Sequence, residues 1–545
     1  MSRAAVLAQP VPPIEERIRA IEAEPLPRNL ATFLDDAARS APDSVALDCF
    51  EDAQRYTYRE LCDATNRLAC GFAGVGITHG THVGVMMGNV AAFPITWFAL
   101  ARLGAVMIPI NPGYTVRELE YLVDNGSIEW LCVTDERQGV VEELARTAHP
   151  VPAERVIVLG EGSGDDRRWE TLAEGDEVAL PPLDAVAPDD LINIQYTSGT
   201  TGFPKGCMLS HRYWLTIGKV NAFRDGRNYQ RILAATPFFY MDPQWMLAMS
   251  VYRRGCLFLA RRQSASRFME WVRALRIQFC LFPEIVYKQP PSAHDRDNEL
   301  IRVNVYGLSK HNHAALEERF DVIAREAFGM TEIGSGAFMP IEAADMVGSG
   351  ACGRAAPFRE LRIVDERGAT LPDGEAGELV VRGPGMLQGY FGNPEATRNA
   401  FYGDWFRTGD VARMDARGYL YIVGRLKDMI RRAGENISAR EVEAVLRSIP
   451  EVSDAAAVPV PDPVRGEEVK VYIVLRPGIT PEAVPPAAIA THCERGLARF
   501  KVPRYYAYRD ELPKTPSEKI AKHLLVAEQP DLRIGAYDRV DELWR

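Results

Sequence analysis

Apolar positions recur at two spacings in the N-terminal part of the chain. Residues 58–76 repeat apolar side chains at the spacing of an amphipathic helix. Short apolar runs at residues 83–87, 106–110 and 130–134 have the length and composition of buried strands. Strands that alternate with helices form parallel sheets covered by helices. The pattern therefore predicts an α/β fold for this part of the chain.

One uncharged stretch, residues 83–101, is long enough to suggest a transmembrane helix. It is interrupted by Gly84, Gly88, Asn89 and Pro94, which are typical of turns and helix starts. We therefore predict a buried strand, a turn and a buried helix that runs to about residue 104. No membrane span is expected.

The pattern changes near Gly353, where alternation becomes typical of half-buried strands. Residues 359–365 and 378–382 alternate in this way and are joined through a Pro-Asp-Gly turn. Residues 419–423 add another strand. We predict that this stretch forms a β-barrel-like subdomain of a large N-terminal domain of helix-covered sheets.

A charged run after Gly424 separates this region from a smaller one. Residues 439–448 have helical spacing, and strand patterns follow at 455–460 and 469–475. This indicates a small α+β C-terminal domain. We place the domains at residues 1–425 and 426–545, and we expect the first thirty residues to form a loose lead-in.

Composition narrows the possible partners. The 545-residue chain has a net charge of −11, which disfavours a general nucleic-acid binder. Its nine cysteines show no paired C-x-x-C spacing, which is typical of reduced thiols in a cytoplasmic protein. His311 and His313 have metal-ligand spacing but lie in a polar stretch, and we expect them at the surface. The start of the chain lacks the pattern of a secretory signal.

The most informative segment is residues 196–206, which combines hydroxyls, glycines and one lysine directly after the apolar run 191–195. Glycines let a backbone wrap closely around an anion, whose oxygens can then be neutralised by N–H groups, hydroxyls and an ammonium. The spacing excludes a Walker A loop, because Pro204 stands where the second glycine would be and Gly206 follows the lysine.

This segment resembles the phosphate loop of the adenylate-forming (ANL) superfamily, which includes acyl-CoA synthetases, luciferases and peptide-synthetase adenylation domains. The resemblance implies that the loop binds the phosphates of ATP. The residues implied are Thr197, Ser198, Gly199, Thr200, Thr201 and Lys205.

A second motif, residues 328–332, places a hydroxyl and a carboxylate side by side after a glycine. Mg²⁺ prefers hard oxygen ligands and usually takes one or two from protein. In the family this motif has the same order along the chain. The resemblance implies that Phe328 lies in the nucleotide site, Thr331 contacts the α-phosphate and Glu332 binds Mg²⁺.

Two further residues are implied to bind ribose. Asp410 follows Thr408-Gly409, and an ionised carboxylate can accept from both ribose hydroxyls. Arg425 supplies a planar fork of donors. The adenine segment departs from the family pattern, because Gly307 lies in Val-Tyr-Gly-Leu-Ser instead of a Gly-Gly-Ala-Pro-like run. The adenine contacts are therefore left open.

The resemblance also assigns the second half of the reaction. Lys427 would be the hinge of a mobile C-terminal domain, and Gly434, Glu435 and Asn436 would line the pantetheine tunnel during thioester formation. Lys519 follows a proline-rich loop. Its ammonium would stabilise the charge that builds as the acyl-phosphate bond forms.

The acyl pocket is expected at residues 237–245 and at two glycines after the Thr-Glu motif. Asp242, residues 289–293 and Leu308-Ser309 are similar to those of carnitine/crotonobetaine-CoA ligases. This resemblance would make Tyr240, Asp242 and Trp245 a site for a quaternary ammonium. An ordinary apolar acyl pocket is the alternative. The candidate pocket residues are Phe239, Tyr240, Asp242, Trp245, Gly334 and Gly336.

These motifs together predict an AMP-forming acyl-CoA synthetase, an acid–thiol ligase that converts ATP, a small-molecule carboxylate and CoA into acyl-CoA, AMP and pyrophosphate. Two alternatives stay open: a stand-alone adenylating enzyme that loads a carrier protein, and a nucleotide-binding pseudoenzyme. The identity of the acid and the oligomeric state, with a homodimer among the options, are not predicted.

Overall fold

The computed structural model describes residues 3–160, 167–174, 178–197, 204–306, 310–432, 435–497, 499–515 and 519–545. The chain divides into two compact units. The larger unit comprises Met1–Leu361, Val381–Phe406 and Gly418–Leu420, and the smaller comprises Arg362–Val380, Arg407–Arg417 and Tyr421–Arg545. A domain boundary after Arg425 remains a prediction, because compactness alone does not mark which residues move.

A nine-stranded sheet lies in the larger unit. Its central strands are parallel, and antiparallel strands flank them at both ends. In spatial order the strands are Arg354–Ala355, Gly334–Phe338, Ala324–Met330, Arg302–Val305, Phe279–Leu281, Arg231–Ala234, Cys256–Leu259, Val45–Cys49 and Gln54–Thr57.

The larger unit also holds a six-stranded sheet, which is parallel except for its last strand. In spatial order its strands are Val156–Leu159, Trp130–Thr134, His82–Met86, Val106–Pro109, Leu191–Thr197 and Lys205–Ser210. Parallel strands covered by helices confirm the α/β class predicted from the alternating pattern.

Helices of the larger unit begin where the sequence supplies caps. Thr57 and Thr115 each accept from the backbone N–H three residues on, and the Glu60 and Glu118 carboxylates bond back to the caps. Each such capping box stabilises its helix by about 1 kcal/mol. The α-helices are Arg3–Ala8, Ile14–Ala23, Leu30–Ser40, Tyr58–Gly74, Ala92–Leu103, Val116–Asn125, Gln138–Leu144, Trp169–Ala173, His211–Phe223, Met241–Arg253, Phe268–Ala274, Glu284–Tyr287, Lys310–Phe320 and Pro394–Asn399.

A five-stranded sheet occupies the stretch in which the sequence predicts a β-barrel-like subdomain, and its residues belong to both units. The strands are Glu360–Val364, Gly377–Arg382, Phe401–Tyr402, Trp405–Met414 and Leu420–Arg425.

The smaller unit has an α+β core. Helices Ala439–Arg447, Pro486–Gly496 and Lys522–Ala527 accompany its seven-stranded sheet. Buried side chains such as Val442, Val471 and Tyr506 pack between helix and sheet. The strands are Met429–Arg432, Glu435–Ser438, Val452–Asp462, Gly466–Leu475, Tyr505–Arg509, Tyr537–Asp538 and Leu543–Trp544.

The uncharged stretch folds as predicted, with a strand followed by the buried helix Ala92–Leu103. Gly104 ends this helix with a left-handed φ of 70°. A Cβ on Gly104 would lie 2.4 Å from the His79 ring, so glycine is required there. Among the described residues, no helix has the length and apolar character needed to cross a membrane.

Two expectations are wrong. The first thirty residues are not a loose lead-in, because they contain two helices that bury Val6, Ile14 and Ile21. Their mixed composition hid the helical spacing of these side chains. His313 is buried instead of exposed: its Nε2 lies 2.9 Å from the Ala324 carbonyl, and its Nδ1 accepts from the Gly348 N–H. Its ring therefore stabilises the core.

Candidate active site

The phosphate-loop segment is anchored by two antiparallel strands. Thr197, the last residue of Leu191–Thr197, pairs with Lys205, the first residue of Lys205–Ser210. The ladder thus fixes both ends of the connection. The four other predicted loop residues lie outside the described residues; they are Ser198, Gly199, Thr200 and Thr201.

Polar side chains within the first of these strands hold it to helix Met241–Arg253 and to the segment before this helix. The Gln195 amide donates to the Phe239 carbonyl at 2.8 Å, and the Asn193 amide donates to Gln244 Oε1 at 3.1 Å. All three amide side chains are buried. The sequence analysis missed them, although two polar residues in an otherwise apolar strand are a detectable signal.

Glu332 lies in a polar cluster with Tyr390, a residue that the sequence analysis also missed. The Tyr390 hydroxyl donates to Glu332 Oε1 at 3.1 Å. The Lys205 ammonium lies 4.9 Å from the centroid of the Tyr390 ring. Burial, and then the charge of Glu332, raise the pKa of Tyr390, so its hydroxyl keeps its proton. Tyr390 therefore lies between the two predicted phosphate-site charges.

Thr331 and Glu332 form the turn between strands Ala324–Met330 and Gly334–Phe338. Thr331 Oγ1 is 3.7 Å from the sulfur of Met241. Phe328 is half-buried and precedes a register shift at Gly329. A Cβ on Gly329 would lie 2.6 Å from the Gly334 carbonyl, so the tight turn requires glycine.

Four candidate pocket residues make two separate contacts, one just before helix Met241–Arg253 and one within it. The rings of Phe239 and Tyr240 are 4.6 Å apart. One turn on, the Trp245 indole donates to Asp242 Oδ1 at 2.9 Å. Trp245 is buried and contacts the ring of Phe279 edge-on. Trp245 is therefore part of the core.

The two pocket glycines permit close approach. Gly334 has a φ of 67°, and a Cβ there would meet Ile217 and Arg359 at 3.6 Å. A Cβ on Gly336 would lie 3.0 Å from the Phe328 ring. A larger residue at position 334 would fill the space beside helix His211–Phe223, and one at position 336 would press on Phe328 and Ile333.

The predicted ribose pair lies in the smaller unit. Arg425 Nε is 2.9 Å from Asp410 Oδ1, and Arg425 Nη1 donates to the Thr408 carbonyl at 3.1 Å. Asp410 is buried. The structure thus brings together both residues that the sequence assigns to ribose.

The predicted hinge and tunnel residues are described in part. Lys427 belongs to the short 3₁₀ turn Leu426–Asp428, and Glu435 and Asn436 open the strand Glu435–Ser438. The backbone of these three residues is described, but their side chains are not. Gly434 and the adenine-segment residue Gly307 lie outside the described residues.

Lys519 lies at the base of the last predicted loop. The Thr515 N–H donates to the Lys519 carbonyl at 2.7 Å, and the Lys519 N–H donates to Thr515 Oγ1 at 3.2 Å. The bridge between Lys514 and Ile520 extends this pairing. Lys519 is exposed.

The motifs and their geometry agree with a comparison against protein families. The model described as "AMP-binding enzyme" matches residues 34–391, and the model "AMP-binding enzyme C-terminal domain" matches residues 441–519.

The chain belongs to the AMP-binding enzyme family.

Similar proteins are found both among curated sequences and among solved structures. A crotonobetaine/carnitine–CoA ligase of Salmonella choleraesuis (strain SC-B67) is 32% identical over 91% of this chain and 98% of its own length. The ATP-bound structure of MatB from Rhodopseudomonas palustris is 26% identical, with a TM-score of 0.80 over 92% of this chain and 98% of that one. The anthranilate CoA ligase AuaEII with anthranoyl-AMP is 25% identical, with a TM-score of 0.81 over 93% and 98%.

Family membership confirms three predictions for this AMP-binding enzyme: the adenylate-forming fold, the AMP-forming acyl-CoA synthetase function and the acid–thiol ligase reaction class. ATP and CoA follow as its substrates. The roles of individual residues stay predictions.

Proposed function

We propose that this AMP-forming acyl-CoA synthetase divides its reaction between two sets of residues. In the first half-reaction a substrate carboxylate oxygen attacks the α-phosphorus of ATP, the bond to the β-phosphate bridge breaks, and pyrophosphate leaves. In the second, the sulfur of CoA attacks the acyl carbonyl, the thiol proton is lost, and AMP leaves. The observation that carries the first assignment is the Glu332–Tyr390–Lys205 cluster at the base of the phosphate loop.

Charge neutralisation is the main contribution to adenylation. Phosphate oxygens bring several negative charges together, and a fixed array of donors stabilises them without reorganisation. Lys205 and the loop hydroxyls would bind the β- and γ-phosphates, and Thr331 the α-phosphate. Lys519 would stabilise the pentavalent α-phosphorus.

Glu332 fits the requirement for a Mg²⁺ ligand. Mg²⁺ bound with ATP usually takes one or two carboxylates from protein, and its other ligands are phosphate oxygens and water. Glu332 is a buried carboxylate whose Oε1 is oriented by the Tyr390 hydroxyl. When bound, Mg²⁺ would supply charge neutralisation for the phosphates.

Asp410 and Arg425 would hold the ribose in the smaller unit. Their ion pair orients the carboxylate, whose oxygens can accept from the two hydroxyls. Removing the carboxylate would therefore weaken ATP binding more than it slows the chemical step.

Thioester formation is assigned to the C-terminal domain, residues 426–545. Lys519 and the tunnel residues Gly434, Glu435 and Asn436 belong to the same small domain but serve different steps. A rotation about Lys427 would exchange them at the acyl-adenylate, as in other domain motions.

Two substitutions test this division. Lys519→Ala should slow adenylation at least about 100-fold, since a charge-stabilising donor is lost. It should spare the conversion of supplied acyl-adenylate to thioester. Gly434→Leu should do the reverse by blocking the tunnel. Both half-reactions are followed separately, by pyrophosphate release and by thioester formation.

Lys501→Ala is the matched control, because Lys501 is a lysine of the same unit that pairs with Glu441 at the surface. It should leave both half-reactions unchanged. Equal damage to one half-reaction by Lys519→Ala and Gly434→Leu would refute the two-conformation mechanism.

For the acid substrate we propose a chemical class, a small-molecule carboxylate. A carboxylate panel scored by pyrophosphate release should include short fatty acids, aryl acids, dicarboxylates and betaines such as carnitine, since similar proteins are named for crotonobetaine and carnitine. Replacing CoA by a phosphopantetheinyl carrier protein tests the alternative thiol.

All nine cysteines are free thiols, which suits a reducing compartment, and we place the enzyme in the cytoplasm.

A further inference from the structure

Two guanidinium groups are buried beside each other in the larger unit. Arg224 follows helix His211–Phe223, and Arg302 opens strand Arg302–Val305. Arg224 is 2% exposed and Arg302 is 0% exposed. Arg224 Nη2 and Arg302 Nε donate to the same oxygen, Asn304 Oδ1, at 3.0 and 3.2 Å. Two positive charges therefore share one neutral acceptor.

Only one carboxylate contacts this pair among the described residues. Asp225 accepts from Arg302 Nη1 and from the Tyr229 hydroxyl. Within the part of the chain that the structure describes, Arg224 Nε and Arg302 Nη2 are buried without a hydrogen-bond partner. Burial, and then the charge of Arg302, lower the pKa of Arg224 to about 10, so it stays protonated at neutral pH. One buried positive charge is thus left in excess.

Arg325 and Arg359, two other buried arginines of the same unit, are satisfied. Arg325 pairs with Glu317 and donates to the carbonyls of Pro340 and Ile341. Arg359 donates to the carbonyl of Ile333 and to three other carbonyls. A buried charge without full pairing is unfavourable, so the unpaired donors of Arg224 and Arg302 favour the binding of an anionic acceptor.

Arg224 shares a helix face with residues that lie beside the candidate acyl pocket. Ile217, Asn221 and Arg224 follow the helical spacing that places side chains on one face. Ile217 contacts the position where Gly334 would carry a Cβ, at 3.6 Å, and the Asn221 amide donates to Ser335 Oγ at 3.1 Å.

The same helix face ends at Arg224, whose guanidinium lies 5.5 Å from the centroid of the Phe338 ring. Phe338 closes the strand Gly334–Phe338, which carries both pocket glycines. The row therefore leads from the candidate pocket to the excess charge.

We propose that Arg224, supported by Arg302, binds an anionic group at the far end of the acyl substrate, which makes the substrate a dicarboxylic acid. This inference rests on the proposed function. A second carboxylate would accept from the unpartnered donors in charge-assisted hydrogen bonds and neutralise the excess charge. A quaternary ammonium at this end of the substrate would face an existing positive charge. Asp242, the carboxylate predicted to pair with such a group, already accepts from the Trp245 indole.

The test compares acids of equal chain length. Dicarboxylates of three to six carbons and the matching monocarboxylates are assayed for AMP formation by the full-length enzyme. The wild type should prefer the best dicarboxylate by about 100-fold in kcat/KM, because a site with buried polar groups rejects a ligand that leaves them unpaired. Arg224→Met should lower kcat/KM for that dicarboxylate about 100-fold and change the monocarboxylate less than about threefold.

Two further variants separate recognition from folding. Arg231→Met removes a guanidinium that stacks on Phe258 in the same unit, and it should leave the preference unchanged. Arg224→Lys keeps the charge and should retain part of the dicarboxylate preference. Circular dichroism and thermal melting of each variant verify that it is folded.

Several results would overturn the inference. They are a wild type without dicarboxylate preference, a faster reaction with carnitine than with any dicarboxylate, and an Arg224→Met variant that loses both acid classes equally. If none of the acids in the wider panel yields AMP, the proposed function fails as well, and the lack of any monocarboxylate activity distinguishes that outcome.

Discussion

Two clusters in the molecule have the same composition, two arginines around one carboxylate, but differ in how the charges are completed. In the larger unit Arg224 and Arg302 surround Asp225, and both arginines are buried. In the smaller unit Arg432 Nε lies 2.8 Å from Glu468 Oε2, and Arg465 Nη1 donates to Glu468 Oε1 at 2.8 Å.

In the smaller unit's cluster both arginines have an outlet besides the carboxylate. Arg432 Nη1 also donates to the Phe500 carbonyl at 2.8 Å, and the Arg465 side chain is 46% exposed to solvent. Carbonyls and water thus take up the second positive charge. Among the described residues, the larger unit's cluster has no such outlet. The comparison teaches that the surroundings, and not the residue count, distinguish a structural charge cluster from a proposed binding site.

The largest expected effect comes from removing the single carboxylate of each cluster. Asp225→Asn should lower the free energy of unfolding by about 4 kcal/mol, because two buried guanidiniums then lack any counter-charge. Glu468→Gln should cost about 2 kcal/mol, the range for hydrogen bonds to charged groups, since carbonyls and solvent still stabilise Arg432 and Arg465. Urea denaturation of both variants measures the difference, and equal losses would refute the contrast.

His211 offers a contrast to the buried arginines, because it is a buried basic side chain that stays neutral at pH 7. It is buried, its Nδ1 accepts from the Leu30 N–H, and burial lowers its pKa from 6.5 to about 3. The unfolded chain therefore binds more protons between these two pH values, and stability falls as pH drops below 6.5. The loss should approach about 1.4 kcal/mol per pH unit.

His211→Asn is the matched variant for that measurement. An asparagine oxygen can still accept from the Leu30 N–H but cannot titrate, so the acid-side slope of stability should become shallower than in the wild type. Unfolding curves at pH 7, 6 and 5 give both slopes, and parallel slopes would show that His211 is protonated in the folded protein.

A smaller effect is expected for Arg224→Met without substrate. Methionine removes the excess charge but fills similar volume, so stability should change by less than about 1 kcal/mol or rise. A loss of several kcal/mol in thermal or urea unfolding would instead make Arg224 a structural residue like Arg432.

The smallest effect belongs to Arg465→Ala in the smaller unit. Arg465 is half-exposed, and surface ion pairs contribute less than about 1 kcal/mol. The same measurement in 1 M salt should reduce even that difference. A larger loss would mean that Arg465 balances Glu468 as a buried partner does.

Sequence patterns predicted those features that depend on neighbouring residues. Apolar runs located the strand Leu191–Thr197, and the Thr331–Glu332 pair follows a glycine that the turn requires. The order of the motifs along the chain gave the family. These signals are local, so one sequence is enough to detect them.

Features made by distant residues could not be predicted. Tyr390 is 58 residues from Glu332, and Arg302 is 77 residues from Asp225, so no spacing rule links them. Arginine and histidine in a polar stretch suggest surface, and only the packed fold shows Arg224 and His313 to be buried.

The most direct test of the central claim is the identity of the nucleotide product. Purified enzyme is incubated with Mg²⁺, ATP, CoA and the acid panel, and nucleotides and phosphates are separated. We expect AMP and pyrophosphate in a one-to-one ratio with acyl-CoA, highest with a dicarboxylate. Release of ADP and orthophosphate instead would contradict the adenylation mechanism.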